Sequence, residues 1–335
     1  MSGSSAACAV LGAGSWGTAL AILLARQGHP VHLWGHVQAD IDCLLRDRAN
    51  EHYLPGIPFP ESLACTADLG AALERAALIL VAVPSHAFAT VLTALQPRLR
   101  PGQRIAWATK GLETGTGRFL HQVFADILGD TMAPALISGP TFAREVALGL
   151  PTAVTVASPD EAFADQLAQS LSGPDFRAYT SGDVQGVELG GAVKNVMAIA
   201  AGISDGLGFG ANSRAALITR GLHEIMRLGE TLGGQRETFM GLAGVGDLVL
   251  TCTDDQSRNR RLGLALGRGE PLDQAIATIG QAVEGVHTAR EVVALAHRHG
   301  VEMPISEQVC RVLFEGHGPH QAVRELLGRS LKSEM

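Results

Sequence analysis

The chain has 335 residues, 46% of them apolar and 18% charged, with a formal net charge of -7. That length suffices for two domains with separate cores, in an ordinary globular composition. The acidic balance excludes non-specific nucleic-acid binding as the main task but leaves room for a local basic pocket that takes a phosphate.

Five dispersed cysteines (Cys8, Cys43, Cys65, Cys252, Cys310) form no C-x-x-C pair. They predict no metal site and no disulfide framework, and they fit a reducing cytosol. The first charged residue is Arg26, so the small, apolar N-terminal stretch lacks the basic region of an export signal. No stretch is expected to be long and apolar enough to span a bilayer.

The chain opens on Ala7–Leu11, a short apolar strand, followed by Gly12-Ala13-Gly14-Ser15-Trp16-Gly17 and a helical segment from Thr18 to Gln27. Strand, glycine turn and helix are the context in which G-x-G-x-x-G binds a dinucleotide. Gly12 permits the tight turn, Gly14 lets a pyrophosphate approach the backbone, and Gly17 lets the helix lie close. The helix N-terminus offers its free N–H groups to the phosphates. Val31–Trp34 is the next strand. An acidic residue at its end would favour NAD, but Trp34-Gly35-His36 carries no carboxylate before Asp40. NADP, or both cofactors, is expected, with His36 either a donor to the 2′-phosphate or a solvated loop residue.

Gln38–Arg46 reads as a helix, Tyr53–Pro60 as a proline-rich loop, Leu63–Thr66 as a strand and the segment from Asp68 as a helix. Leu78–Val83 is a continuous apolar run, the pattern of a parallel strand buried on both faces. It ends in Pro84-Ser85-His86. Ile105–Ala108 ends in Thr109-Lys110-Gly111, and Ala135–Ser138 in Gly139-Pro140-Thr141-Phe142-Ala143. Thr152–Ala157, a helix after Pro159, and Phe176–Thr180 complete an α/β alternation that implies a doubly wound sheet. Three strand ends then bring Ser85, Lys110 and Thr141 to one rim, where ligands sit in such folds.

From Ser181 onward the pattern is helical, with glycine-rich turns. Helices are predicted over 183–203 (capped by Ser181 or Asp183), 212–232, 257–266 (capped by Ser257), 272–279, 288–299, 306–314 and 320–327. The boundary is placed near 181: a dinucleotide-binding domain over 1–181 and an all-α substrate domain over 182–335.

Lys194 stands out in the second half. Its helix is apolar almost all round (Val187, Leu189, Val193, Val196, Met197, Ile199), so it must be buried. A lysine there needs a cleft or a partner. Gly190, Gly191 and Ala198 share its face, which reads as small and open, and Asn195 and Glu188 are candidates to orient it. Partial burial suits such a lysine to proton exchange near neutral pH; the bland alternative is a lysine snorkelling at a domain edge. Asp247, in Gly244-Val245-Gly246-Asp247-Leu248, reads as exposed on a tightly turned backbone. It pairs with Lys194, binds a substrate hydroxyl, or merely caps a turn. Ser257-Arg258-Asn259-Arg260-Arg261 places a hydroxyl, a guanidinium and an amide at a helix start, which suits a phosphate. Arg260 and Arg261 fit a solvated basic face better.

These segments resemble the bacterial NAD(P)-dependent glycerol-3-phosphate dehydrogenase family over nearly the whole chain. The motifs are GAGSWGTALA, VAVPSHA, ATKGLE, SGPTFAREVALGLPTA, ELGGAVKNVMAIAAGISDGL, FMGLAGVGDLVLTC, SRNRRLG and VEGVHTA, in that order. The resemblance implies a Rossmann domain followed by a helical domain like that of 6-phosphogluconate dehydrogenases. It implies cofactor contacts at Ser15, Trp16, His36, Lys110, Ala143, Arg258, Val283 and Glu284. It implies substrate contacts at Lys110, Gly139, Thr141, Lys194, Asp247, Ser257, Arg258 and Asn259, with Lys194 the proton donor and acceptor and Lys110 and Asp247 beside it. The implied enzyme is a cytoplasmic homodimer that reduces dihydroxyacetone phosphate to glycerol 3-phosphate for phospholipid synthesis. Two readings compete: a related dehydrogenase for a hydroxyacyl thioester or sugar acid, and a redox sensor that binds a dinucleotide without turnover.

Overall fold

The computed structural model describes residues 6–129 and 131–329. The chain divides into two compact units. The first takes residues 1–113 and 118–188; the second takes 189–335 together with Thr114–Gly117.

The first unit is an eight-stranded sheet in the order β3-β2-β1-β4-β5-β6-β7-β8. Its strands are β1 (Cys8–Leu11), β2 (Val31–Trp34), β3 (Leu63–Thr66), β4 (Leu78–Val81), β5 (Arg104–Trp107), β6 (Leu136–Ser138), β7 (Thr152–Ala157) and β8 (Phe176–Ser181). The reversal of order at β1 is the doubly wound topology that the alternation predicts. β1 to β6 run parallel, while β7 turns back antiparallel to β6, with Ile137 facing Val156. β1 and β4, continuously apolar in sequence, are buried at every position.

The helices of this unit are α1 (Ser15–Arg26), α2 (Gln38–Asp47), α3 (Leu69–Leu73), α4 (Ser85–Leu95), α5 (Leu120–Leu128), α6 (Ala143–Leu148) and α7 (Glu161–Leu171). α1 starts at Ser15, three residues before the predicted start, because the turn ends at Gly14, whose extended backbone caps the helix. α4, α5 and α6 had no counterpart among the predicted elements. Pro84, which follows the apolar run of β4, is the N-cap of α4, and Phe142 is that of α6. Helices as short as these lack the long amphipathic period that sequence patterning needs.

The second unit is helical. α8 (Val184–Gly206) is followed by α9 (Ala211–Thr231), α10 (Arg236–Phe239), α11 (Asp247–Thr253), α12 (Arg258–Gly267), α13 (Leu272–Ile279), α14 (Glu284–Arg298), α15 (Pro304–Phe314) and α16 (Pro319–Leu327). Asp183 caps α8 by accepting from Gly186 N at 2.8 Å. α8 corrects one expectation: by length and mean hydropathy it is long and apolar enough to cross a membrane. The same stretch is fully buried, as expected of a core helix.

α8 and α12 meet backbone to backbone. A Cβ on Gly202 would lie 2.1 Å from Arg260 O, and one on Gly206 2.5 Å from Leu264 O. From the other side, a Cβ on Gly263 would lie 2.1 Å from Ile199 O and one on Gly267 2.5 Å from Ile203 O. Two four-residue glycine spacings therefore face each other, and the helices approach as close as their main chains allow. Glu224 of α9 accepts from the N–H groups of Ile305 (2.6 Å) and Ser306 (3.2 Å), so a buried carboxylate caps α15.

Candidate active site

In the first unit the site is built on the glycine turn. Gly12 has φ +120°, and a Cβ there would lie 2.6 Å from Ala82 O, behind the end of β4. A Cβ on Gly17 would lie 1.8 Å from Gly12 O, so only glycine lets the first turn of α1 rest on the turn that precedes it. Gly14 differs: a Cβ there would meet nothing within 4 Å. The first and third glycines are required by the protein itself, whereas the second stands beside open space at a helix N-terminus with no acidic residue in its first turn. That is the environment a pyrophosphate needs, so these residues fit a dinucleotide. The indole N–H of Trp16 is buried without a partner among the described residues. His36 is exposed two residues beyond β2, and the nearest following carboxylate, Asp40, lies in the first turn of α2.

Asn50 fixes this turn, and sequence reading missed it. Its Nδ2 donates to Ala13 O (3.0 Å) and to Thr18 Oγ1 (2.8 Å), while its Oδ1 accepts from Tyr53 N (3.2 Å). The residue is 2% exposed. It stands between α2 and a proline-rich loop, where nothing in the local pattern separates it from an ordinary turn asparagine.

The ends of the neighbouring strands β5 and β6 converge as expected. Lys110 Nζ donates to Gly139 O at 2.9 Å, and Thr141 Oγ1 donates to the same carbonyl at 3.1 Å. Three residues assigned to the substrate thus share one oxygen. Ala143 opens α6 just beyond them.

In the second unit the centre is Lys194. It is 7% exposed, and Asp247 beside it is fully buried. Lys194 Nζ donates to Asp247 Oδ1 (2.6 Å) and to Thr251 Oγ1 (2.8 Å); Thr251 Oγ1 in turn donates to Asp247 O (2.6 Å). Burial disfavours the ammonium and the adjacent carboxylate favours it, so the pair keeps a charge in the core that neither residue would keep alone.

Three expectations are corrected here. Asp247 is not exposed on a turn: it is the first residue of α11, delivered by a π-helical turn over Leu242–Gly246. The glycine-rich stretch packs instead of flexing, since a Cβ on Gly244 would lie 2.0 Å from Phe239 O. The Gly190 part of the Lys194 face is not open, because a Cβ there would lie 2.5 Å from Ala243 O. Nor do Glu188 and Asn195 orient Lys194. Glu188 accepts from His121 Nδ1 (2.6 Å) and His121 N (3.1 Å), Asn195 pairs with Asn259, and Thr251 takes the orienting place. Thr251 follows Asp247 by one helical turn, a signal that becomes readable only once α11 is recognised.

Ser257 caps α12, its Oγ accepting from Arg260 N at 3.2 Å. Its hydroxyl proton stays available, because a hydroxyl donates and accepts at once. Arg258 is half-buried in the first turn. Arg260 is not on a solvated face; it is buried and paired with Asp205 at 2.9 Å, while Arg261 is exposed as expected. Val283 caps α14 and Glu284 is its first residue.

Two family models match the chain: NAD-dependent glycerol-3-phosphate dehydrogenase N-terminus over residues 7–164 and C-terminus over residues 183–324. The glycerol-3-phosphate dehydrogenase [NAD(P)+] of Aeromonas salmonicida is 58% identical over 329 residues, 98% of each chain. The chain belongs to the NAD-dependent glycerol-3-phosphate dehydrogenase family. The enzyme of the same name from Thioalkalivibrio sulfidiphilus is 60% identical over 97% of this chain and 98% of its own. The crystal structure of the Coxiella burnetii glycerol-3-phosphate dehydrogenase, 52% identical, superposes with a TM-score of 0.95 over 98% of this chain and all of that one. As a member of this family the chain is an NAD(P)-dependent oxidoreductase with a Rossmann-type domain and a helical C-terminal domain.

Proposed function

We propose that this dehydrogenase reduces dihydroxyacetone phosphate to glycerol 3-phosphate, reversibly, with NADPH or NADH. One observation carries the chemistry: a buried lysine, Lys194, held by the carboxylate of Asp247 at 2.6 Å and by Thr251 at 2.8 Å. A sensor that only bound the dinucleotide would have no use for it. We assign residues 1–181 to cofactor binding and 182–335 to the substrate.

A bound reduced nicotinamide supplies the hydride. Gly12, Gly14, Ser15, Trp16, Gly17 and His36 would hold its carrier, as would Lys110, Ala143, Arg258, Val283 and Glu284. Hydride arrival at the carbonyl carbon leaves an alkoxide, and Lys194 gives that oxygen its proton. Asp247 keeps the lysine charged and aimed until then. Lys110, Gly139 and Thr141 line the substrate at the strand ends. Ser257, Arg258 and Asn259 grip the phosphate through a capped helix start and a guanidinium. The product would supply the glycerol backbone of phospholipids. We place the enzyme in the cytoplasm as a homodimer; its five free cysteines suit a reducing compartment.

The assay follows absorbance at 340 nm with dihydroxyacetone phosphate and either NADPH or NADH. Rapid oxidation of one or both supports the assignment, and the ratio reports what His36 does. Cofactor binding without oxidation would overturn it.

A further inference from the structure

The buried polar groups of the second unit include one directional chain. The backbone N–H of Gly285 donates to Asn259 Oδ1 at 2.9 Å. Asn259 Nδ2 donates to Asn195 Oδ1 at 2.9 Å, and Asn195 Nδ2 reaches Gly191 O at 3.4 Å. Asn195 is 5% exposed and Asn259 8%.

The polarity of this chain is not arbitrary. Side-chain amides are read in one of two flips, and their neighbours decide which. A backbone N–H can only donate, so it must face the oxygen of Asn259. The nitrogen of Asn259 must then face Asn195, which presents its own oxygen. An amide nitrogen carries two N–H groups, and this chain uses one of them. The second is left as a donor on the residue that follows Arg258.

A second observation places α14 on the same pair. A Cβ on Gly285 would lie 2.7 Å from Asn259 Oδ1 and 2.8 Å from Asn195 O. The first turn of α14 is therefore seated directly on the two asparagines, and Gly285 is there because no side chain fits.

We propose that Asn195 is a positioning residue for the phosphorylated end of the substrate. It locks the Asn259 amide with an N–H directed at the phosphate and acts through Asn259 alone. This rests on the reading that Ser257, Arg258 and Asn259 hold the phosphate. Lys194 and Asn195 are adjacent on α8, so the helix that carries the proton donor also sets the phosphate grip.

The test compares kcat/KM for dihydroxyacetone phosphate with that for dihydroxyacetone, using the full-length enzyme and NADPH. Wild type, Asn195→Leu, Asn259→Leu and the double variant are measured. Asn195→Leu keeps the branched shape and removes the acceptor. It should lower the ratio of the two values at least about tenfold, chiefly through KM for the phosphorylated substrate. The double variant should be no worse than Asn259→Leu alone. General loosening of the site would lower both substrates together and leave the ratio intact. A preserved ratio in Asn195→Leu, or losses that add in full, overturns the proposal. An Asn259→Leu enzyme that keeps the wild-type ratio removes the phosphate reading, and the proposal with it. Should the leucine variant not fold, Asn195→Ser, too short to reach Asn259, reads the same ratio.

Discussion

Lys194 occupies a position that excludes an unpaired charge, and Asp247 and Thr251 are what make it tenable there. Lys194→Ala removes the proposed proton donor, so kcat should fall about 10²- to 10⁴-fold in the 340 nm assay, with the protein still folded. An unchanged kcat would sink the assignment. Arg258→Ala, at the helix start proposed to hold the phosphate, should mainly raise KM for dihydroxyacetone phosphate; a normal KM contradicts that proposal. The glycines of the turn should separate in the same way. Gly14→Ala has room for its methyl group, so its melting temperature should match wild type while its Kd for NADPH rises. Gly17→Ala puts a methyl group 1.8 Å from Gly12 O and should lose stability as well as binding. Equal melting temperatures for the two variants would contradict this division.

Among elements, the approach of α8 to α12 carries the most weight, because it sets where Lys194 lies relative to the start of α12, the proposed phosphate site. Gly263→Ala drives a methyl group against Ile199 O at 2.1 Å. Overpacking of this kind costs about 1–3 kcal/mol. A denaturant melt should show that loss, and KM for dihydroxyacetone phosphate should rise as the start of α12 shifts. A melt that coincides with wild type would show that the helices have slack. This scale also explains what could be read in advance. The strands of the first unit were legible because continuous apolar runs and glycine turns are local signals. Lys194 was legible because a charge in an all-round apolar helix is anomalous within a single window. The facing glycines, Thr251 and the burial of Arg260 were not, since each depends on which helix lies opposite. Asp247 was found for its chemistry and misplaced in its surroundings: glycine-rich sequence reads as exposed turn, yet here the glycines serve close packing.

For the whole molecule, stability depends on pH through buried carboxylates such as Glu224. Burial raises its carboxyl from 4.5 to about 7, against the opposing donors at Ile305 and Ser306 and the charge of Arg227. The folded state therefore holds this proton more tightly than the unfolded chain does. The contribution is complete below pH 4.5 and is lost as pH rises through 7, on the order of 3 kcal/mol across that window. Glu224→Gln cannot ionise, so the stability difference between variant and wild type should shift in the variant's favour from pH 5 to pH 8. A difference independent of pH in urea melts would refute the assignment.

The boundary between the two units falls inside α8, after Glu188 and before Leu189. Glu188 answers to His121 of the first unit, and six residues later Lys194 answers to Asp247 of the second. The gene therefore has no clean place to be cut. A fragment ending at Ser181 strips His121 of its carboxylate, and one ending at Glu188 leaves a severed helix with open carbonyls. Swapping cofactor halves between relatives, to trade NADH for NADPH, would have to carry α8 as a shared part matched to both sides.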